Sequence, residues 1–541
     1  MDGGPADIAP DGRHVAYALR EKGEVAVYFL QIDSAQTVFR AAVGRDDGAR
    51  MVGNTRHVPV VRVVALHWVD NDRVVVATTA NHFLVLNHRT KEGRHLINLN
   101  GEQQVLGAEF GVLAGFAAVK GRSSGRIVAI SRARPAAVFV EAVRFGGLDG
   151  ADHVVFRLDV ETGRSEVVYD ERTQGSVIYD ATGGVRARVI SNYWPGAVFL
   201  HEPDLGRNKW QPLEKKFPAA FTPAPPLKVE DYLGERSFPL GFDGDVLVYA
   251  SNRGRKTLGI YGLNLTTGEP TSLVVEDDAV DLVSPFMRPE SDLLVVDRTT
   301  RRMLGITVQG TQASTRWLEP QFAALQSKLE ARARGYSVQI VGWDDARARF
   351  VVELHHRADP GGYYVYMPAD DKLRLILPRG TQQKSLPRVT ITAWTLPRAD
   401  RSSLSGWLVT PAAEAATPRP VVVRLQTVPW FRATNGYSPE VLALAQMGFA
   451  VLEVNHRGIS GFGTSHLQAG RHRPDEAAVE DIVAAVEALP PASGADPQRV
   501  ALLGEDYGGF LALRALQLRP GRFVAAVTRG PITDLTSWMA P

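Results

Sequence analysis

The sequence predicts a β-propeller of about six or seven blades followed by an α/β-hydrolase domain lacking its last strands. Three observations predict it. From residue 11 to about 380, short segments of alternating apolar and polar residues are parted by Asp, Asn and Gly turns. Within that stretch a strand-turn-strand signature recurs. After about residue 386 helices and strands alternate, and the last strand-to-helix junction reads LLGEDYGGF, Leu502 to Phe510. The domains are therefore placed at 1–385 and 386–541.

The propeller elements come in two halves. DGRHVAYAL, NDRVVVATT, GDVLVYAS, SDLLVVDR and RARFVVEL each run from a charged turn into an apolar strand. VYFLQIDSAQTVF, FLVLNHRTKEGRHL, VFRLDVETGRSEVV, IYGLNLTTGEPTSLV and YYVYMPADDKLRLIL each join two strands through a polar turn. Degenerate units of four short strands bury their faces only against neighbouring units, as propeller blades do. Unrelated β-sandwiches would not need a common signature. One helical insert is expected, Gln321 to Ala333, with Phe322, Leu325 and Leu329 on one face.

In the second domain VTITAW and LSGWLVTP read as an antiparallel pair, and PVVVRLQ as a strand buried on both faces. SPEVLALAQMG, FAVLEVNHR, DEAAVEDIVAAVEAL, RVALLG, YGGFLALRALQL and FVAAVTRG then alternate helix and strand. In the central helix Val479, Ile482, Val483 and Val486 make one apolar stripe. Such alternation implies a doubly wound parallel sheet.

Composition narrows the function classes. The 541 residues carry 61 basic and 59 acidic side chains, a formal charge of +2, with no basic block to follow a phosphate backbone; nucleic acid is not an expected partner. The longest apolar run, FGVLAGFAAV, is too short to span a bilayer, so no membrane partner is expected either. Without cysteine there is no disulfide, thiolate nucleophile or thiolate ligand. Cytoplasmic placement fits, and periplasmic placement would need an export signal ahead of Met1, which lies close to the first strand. No cofactor and no metal are expected: His355 and His356 are neighbours on one strand and face opposite ways, and no His-Glu-x-x-His or paired-Cys spacing occurs.

The arrangement resembles the prolyl oligopeptidase family of serine peptidases, in particular its acylaminoacyl-peptidase and dipeptidyl-peptidase-like members. NHRGISGFG at Asn455–Gly463 is similar to that family's Asn-x-Arg-Gly-Ser-x-Gly-Tyr-Gly segment, and ADPQRVALLGEDYGGF to its strand and nucleophile elbow. The resemblance implies a serine in the G-x-S-x-G-G elbow, with the next amide as an oxyanion donor. Here those positions are Asp506 and Tyr507. The His-Gly-Gly-Pro stretch implied after the third strand is replaced by Gln426, Thr427, Val428 and Pro429. Branched Thr427 and Val428 resist the positive φ angles that glycines allow. No histidine follows His472 in the sequence, so no triad in family order can be assembled from it.

A carboxylate attacking an amide would leave again in preference to the amine, so Asp506 is not a peptidase nucleophile. Two roles are weighed for it, and the helix cap is the expected one. It could displace at carbon, as the similar G-x-D-x-G-G elbow of epoxide hydrolases and haloalkane dehalogenases does, or cap the helix that begins at Tyr507. Glu505 is expected to be solvated or ion-paired, with a propeller arginine as the candidate partner. His456, after the fourth strand, could approach the site but suits a packing or rim role, and Arg457 a structural contact near the elbow.

The reading that results is a degenerate member, inactive as a serine peptidase, that binds a peptide or protein ligand in a pocket between the domains. The alternative is an active hydrolase whose remaining triad lies outside these residues, or which uses Asp506. The edge strand FVAAVTRG is expected to be covered by a second copy or a partner chain.

Overall fold

The computed structural model describes residues 2–45, 50–52, 55–57, 61–99, 123–145, 151–173, 175–190, 197–201, 210–221, 234–284, 293–309, 313–380, 388–398, 403–412, 417–428, 431–469 and 473–534. The apolar run FGVLAGFAAV, Pro429 and His472 lie outside these residues.

The first part is a ring of antiparallel sheets, six of four strands and one of three among the described residues. Each sheet is a simple meander in chain order, so every connection is local. The cores lie between sheets. Val25, Val27 and Phe29 of the first sheet pack with Val74, Val76 and Trp68 of the second, while Val15 and Leu19 pack against Val351 and Val365 of the last. This last contact closes the ring: each face finds its apolar partner in the neighbouring blade, as the recurring signatures predict. The helix Pro320–Arg332 follows the three-stranded sheet and buries Phe322, Leu325, Gln326 and Leu329. Its start and end lie one residue earlier than the periodicity predicts, because Pro320 supplies the first helical position, where a missing N–H costs nothing.

The second part is a six-stranded sheet. Its strands are β1 (Val389–Pro397), β2 (Ser403–Pro411), β3 (Arg419–Arg424), β4 (Ala450–Asn455), β5 (Ala495–Glu505) and β6 (Ala525–Arg529), in spatial order β1-β2-β4-β3-β5-β6. β1, β2 and β4 pair antiparallel; β4, β3, β5 and β6 pair parallel. The helices are α1 (Pro439–Gln446), α2 (Gly463–Gln468), α3 (Pro474–Glu487) and α4 (Tyr507–Leu518). The stripe Val479, Ile482 and Val486 on α3 is buried against Val423 and Leu452 in the same core, together with Leu511 and Ala515 of α4. Apolar residues are buried on both faces as far out as β2, whose Leu408 and Val409 enter separate cores; β6 lies at the edge among the described residues, with Val527 exposed.

Backbone bonds join the two parts. The amide of Asp281, in the propeller, donates to the carbonyl of Gly461 at 3.0 Å, and the amide of Thr464 donates to Lys256 O at 2.8 Å. Asp281 Oδ2 accepts the amide of Gly463 at 3.1 Å. Arg357 pairs with Glu453 of β4 and lies over the Trp407 ring at 5.1 Å.

Candidate functional site

The strand-to-helix junction has the geometry its sequence predicts. Asp506 stands between β5 and α4 with φ 49° and ψ −114°, outside the left-handed helical region that an L-residue reaches at modest cost. A conformation of this kind costs about 1–3 kcal/mol and persists only where its surroundings impose it. They do so here. The Asp506 amide donates to Arg529 O of β6 at 3.2 Å, and its carbonyl accepts the amides of Phe510 and Ile532, each at 3.1 Å. Two glycines let the chain cross itself: a Cβ at Gly504 would lie 2.1 Å from Gly508 O, and one at Gly508 would lie 2.7 Å from Gln426 O.

The side chain of Asp506 points to solvent and makes no capping hydrogen bond, which overturns its expected role as a helix cap. The positive φ is the reason: a cap residue needs an extended backbone to turn its oxygen onto the helix's first amides.

Tyr507, Gln426 and Thr427 do come together. The amide of Tyr507, the position of an oxyanion donor at such an elbow, donates to the carbonyl of Thr427 at 3.1 Å. Neither Thr427 nor Val428 has a positive φ, so this loop follows a path that branched residues accept and brings a carbonyl where a donor would be needed. Gln426 holds its side-chain Nε2 buried without a hydrogen-bond partner beside this crossing. The Tyr507 ring is buried, and burial, with the Asp475 charge behind it, pushes its hydroxyl up to about 12.

The other candidates take structural places. Glu505 pairs with Arg529 of β6, with Nε to Oε1 at 2.9 Å, and this bond holds its carboxyl below the usual range. The partner is thus the neighbouring strand and not a propeller arginine, because β5 and β6 run parallel and set positions 505 and 529 side by side. Arg457 grips α3 instead of the elbow: its amide donates to Asp481 Oδ2 at 2.7 Å, its Nε to both carboxylate oxygens at 3.0 Å, and its Nη2 to Glu480 at 2.9 Å. His456 is buried, its Nδ1 donating to Arg457 O at 2.8 Å. Burial lowers its pKa first, and the charges acting on it are Asp481 and Arg457. Its neighbour His466, whose Nε2 donates to His456 O at 2.9 Å, is pushed down to about 4, mainly by burial.

Asp481 was not singled out from the sequence, yet it is fully buried and also takes Arg398 Nη1 at 2.5 Å. The signal was present: positions 478, 481, 482 and 485 share one helical face, and a lone carboxylate on an apolar stripe requires a buried cation. Among the described residues no group of three metal-binding side chains occurs, and no helix is long and apolar enough to cross a membrane.

The strained elbow, the β1-β2-β4-β3-β5-β6 order and the propeller ahead of it decide the class, and comparison with known proteins agrees. Residues 435–541 match the prolyl oligopeptidase family. The chain carries a domain of that family. Dipeptidyl aminopeptidase BIII of Pseudoxanthomonas mexicana is 24% identical over 418 residues, 75% of this chain and 56% of the relative. The acylamino-acid-releasing enzyme of Sus scrofa is 38% identical over 96 residues, 18% of this chain and 13% of that enzyme. The chain thus spans about half, or less, of the length of the curated relatives it matches. Among solved structures, a Mycobacterium tuberculosis puromycin-hydrolyzing peptidase superposes with a TM-score of 0.64 at 17% identity, covering 99% of this chain and 78% of the other. The Pyrococcus horikoshii acylaminoacyl peptidase gives 0.60 at 14%, covering 98% and 78%. At such identities the likeness is one of fold. The protein is therefore a prolyl-oligopeptidase-like, peptidase-like chain with a propeller and a hydrolase domain.

Proposed function

We propose that this prolyl-oligopeptidase-like protein does not act as a serine peptidase and works by holding a peptide or protein ligand. One observation carries the reading: the elbow amide that would receive an oxyanion, that of Tyr507, is already bonded to Thr427 O. Oxyanion stabilisation requires a donor waiting for charge that develops in the transition state, and removing one such donor typically costs about 10²–10³ in rate. The attacking group is altered as well. At Asp506 a carboxylate replaces a hydroxyl, and a tetrahedral adduct formed by it expels the carboxylate before the amine.

The test is to incubate the protein with a fluorophosphonate and with p-nitrophenyl acetate, and to read labelling by intact mass and turnover by absorbance. Absence of both is expected; an Asp506-dependent turnover of either kind would overturn the reading.

A second reading has its own support, the exposed and uncapped Asp506 carboxylate on a strained tip. One oxygen would attack an epoxide carbon, the C–O bond of the ring would open, and the alkoxide would take a proton from solvent or a nearby acid, leaving an alkyl ester. An epoxide panel followed by peptide mapping tests it; an adduct at Asp506 supports this reading and its absence discards it.

A further inference from the structure

The innermost strand of each propeller sheet is also its first in the chain. The contacts to the hydrolase domain are made by turns such as Lys256–Thr257 and by Asp281 and Arg357, which lie at the opposite ends of the blades from where these innermost strands finish. The innermost strands therefore end on the face turned away from that domain.

A cavity of about 510 Å³ is lined by these strands, a size within the range of small-ligand sites. Ile127, Ile130, Ile178, Leu240, Ile340 and Trp343 supply apolar wall. At the strand ends stand two arginines. Arg132 donates from Nη1 to Asp345 Oδ1 at 2.8 Å, while its Nε and Nη2 are buried without a partner. Arg298 pairs through Nη2 with Asp7 Oδ1 at 2.7 Å, and its Nη1 is likewise buried and unpartnered.

The free groups are specific in kind. Nε and Nη2 form one edge of the planar guanidinium, the edge that meets both oxygens of a carboxylate at once. The protein's own carboxylates do not fill it. Asp7 is occupied, its Oδ1 also accepting the Ile8 amide at 2.8 Å and its Oδ2 the Trp68 amide at 3.0 Å. The two cations sense each other: burial first, and then the Arg298 charge, lower the pKa of Arg132. Beside them His67 is held near 4 by burial and by the same two arginines, so it adds no third charge at neutral pH. Buried donors left unmade cost about 1–3 kcal/mol each, more for charged groups, and an incoming anion removes that cost.

We propose that this outer mouth of the propeller channel binds the C-terminal carboxylate of a short peptide, held by the Nε–Nη2 edge of Arg132 with Arg298 Nη1 alongside, the apolar wall taking the last side chains. The site is separate from the elbow and does not depend on whether Asp506 is inert.

Titration calorimetry of the full chain tests it, using acetyl-Ala-Ala-Leu as free acid, the same peptide as C-terminal amide, and inorganic phosphate. The free acid is expected to bind, the amide and phosphate each at least tenfold more weakly. Arg132→Lys, which keeps the charge and loses the fork, should weaken the acid at least tenfold while thermal melting stays close to wild type. The acid-against-amide comparison needs no variant, so it decides even where a substitution disturbs folding. Equal binding of acid and amide, no binding at millimolar concentration, phosphate binding as tight as the acid, or an unchanged Arg132→Lys would each overturn the proposal.

Discussion

The amide of Tyr507 donates to the carbonyl of Thr427 across 3.1 Å, closing the elbow of α4 onto the loop that follows β3. Restoring the hydroxyl alone therefore does not restore an oxyanion site. Asp506→Ser is expected to show no fluorophosphonate labelling above the parent, read by intact mass. Labelling of that variant at a rate typical of serine hydrolases would mean that Thr427 gives way on demand.

Asp506 itself is strained and uncapped. A capping carboxylate would lose about 0.5–2 kcal/mol on truncation. Because no such bond exists, Asp506→Ala is expected to change stability by less than about 0.5 kcal/mol, and Asp506→Gly, which relieves φ 49°, to raise it by about 1 kcal/mol. Urea unfolding distinguishes the two accounts. A loss above 1 kcal/mol for the alanine variant would restore the cap.

Much of the fold was legible because its signals are local. Blade strands run over no more than ten residues, and the α3 stripe repeats within two turns, so both can be read in a short window. The elbow was legible for the same reason, since Gly504 and Gly508 flank it within five positions. What could not be read are pairings set by the tertiary path. Nothing near Tyr507 says that its amide meets Thr427, nor near Arg132 that Arg298 lies beside it. Glu505 shows the boundary between the two cases: that it would be paired was predictable from its charge, but its partner followed only from the β5–β6 register.

Asp481 is fully buried and bonded to Arg457 and Arg398. Removing it leaves the Arg398 guanidinium without its carboxylate and Arg457 with only Glu480 and Ala477 O, and breaking a buried pair by deleting one partner costs about 3–5 kcal/mol. Asp481→Ala is expected to lose that much in urea unfolding. Glu480→Ala, which removes the exposed half of the same contact, should lose less than about 1 kcal/mol.

Three histidines, His67, His95 and His466, are each pushed from 6.5 to about 4, chiefly by burial. The sign follows from proton counts. Between pH 6.5 and 4 the unfolded chain binds protons that the folded chain refuses, so their neutral forms contribute full stability above 6.5, which is lost as pH falls toward 4. Each adds a slope of at most about 1.4 kcal/mol per pH unit. His466→Gln, which keeps a donor for His456 O, is expected to lower the measured slope of unfolding free energy by about one proton across that window. A slope identical to wild type would show that His466 titrates normally.

Asp281 makes three bonds, one within the propeller and two to the hydrolase domain. Its Oδ1 accepts the Leu258 amide at 2.8 Å, its Oδ2 the Gly463 amide at 3.1 Å, and its own amide donates to Gly461 O at 3.0 Å. Truncating the side chain leaves two buried amides unpaired, one in each domain. Each orphan costs about 1–3 kcal/mol. Burial raises the Asp281 pKa despite these donors, so the charged form is already held against a desolvation penalty. Asp281→Ala should therefore loosen the contact locally before it unfolds either domain, and hydrogen exchange at Gly463 and Thr464 is expected to quicken at least tenfold, with the core amides of β3 and β5 unchanged. Gly463→Ala approaches the same contact from the other side, since its φ of +81° and a Cβ 2.8 Å from Lys256 O leave no room for the methyl group. Both variants should quicken the same amides. If only the alanine at 463 does, the contact is held by shape and the carboxylate of Asp281 is dispensable.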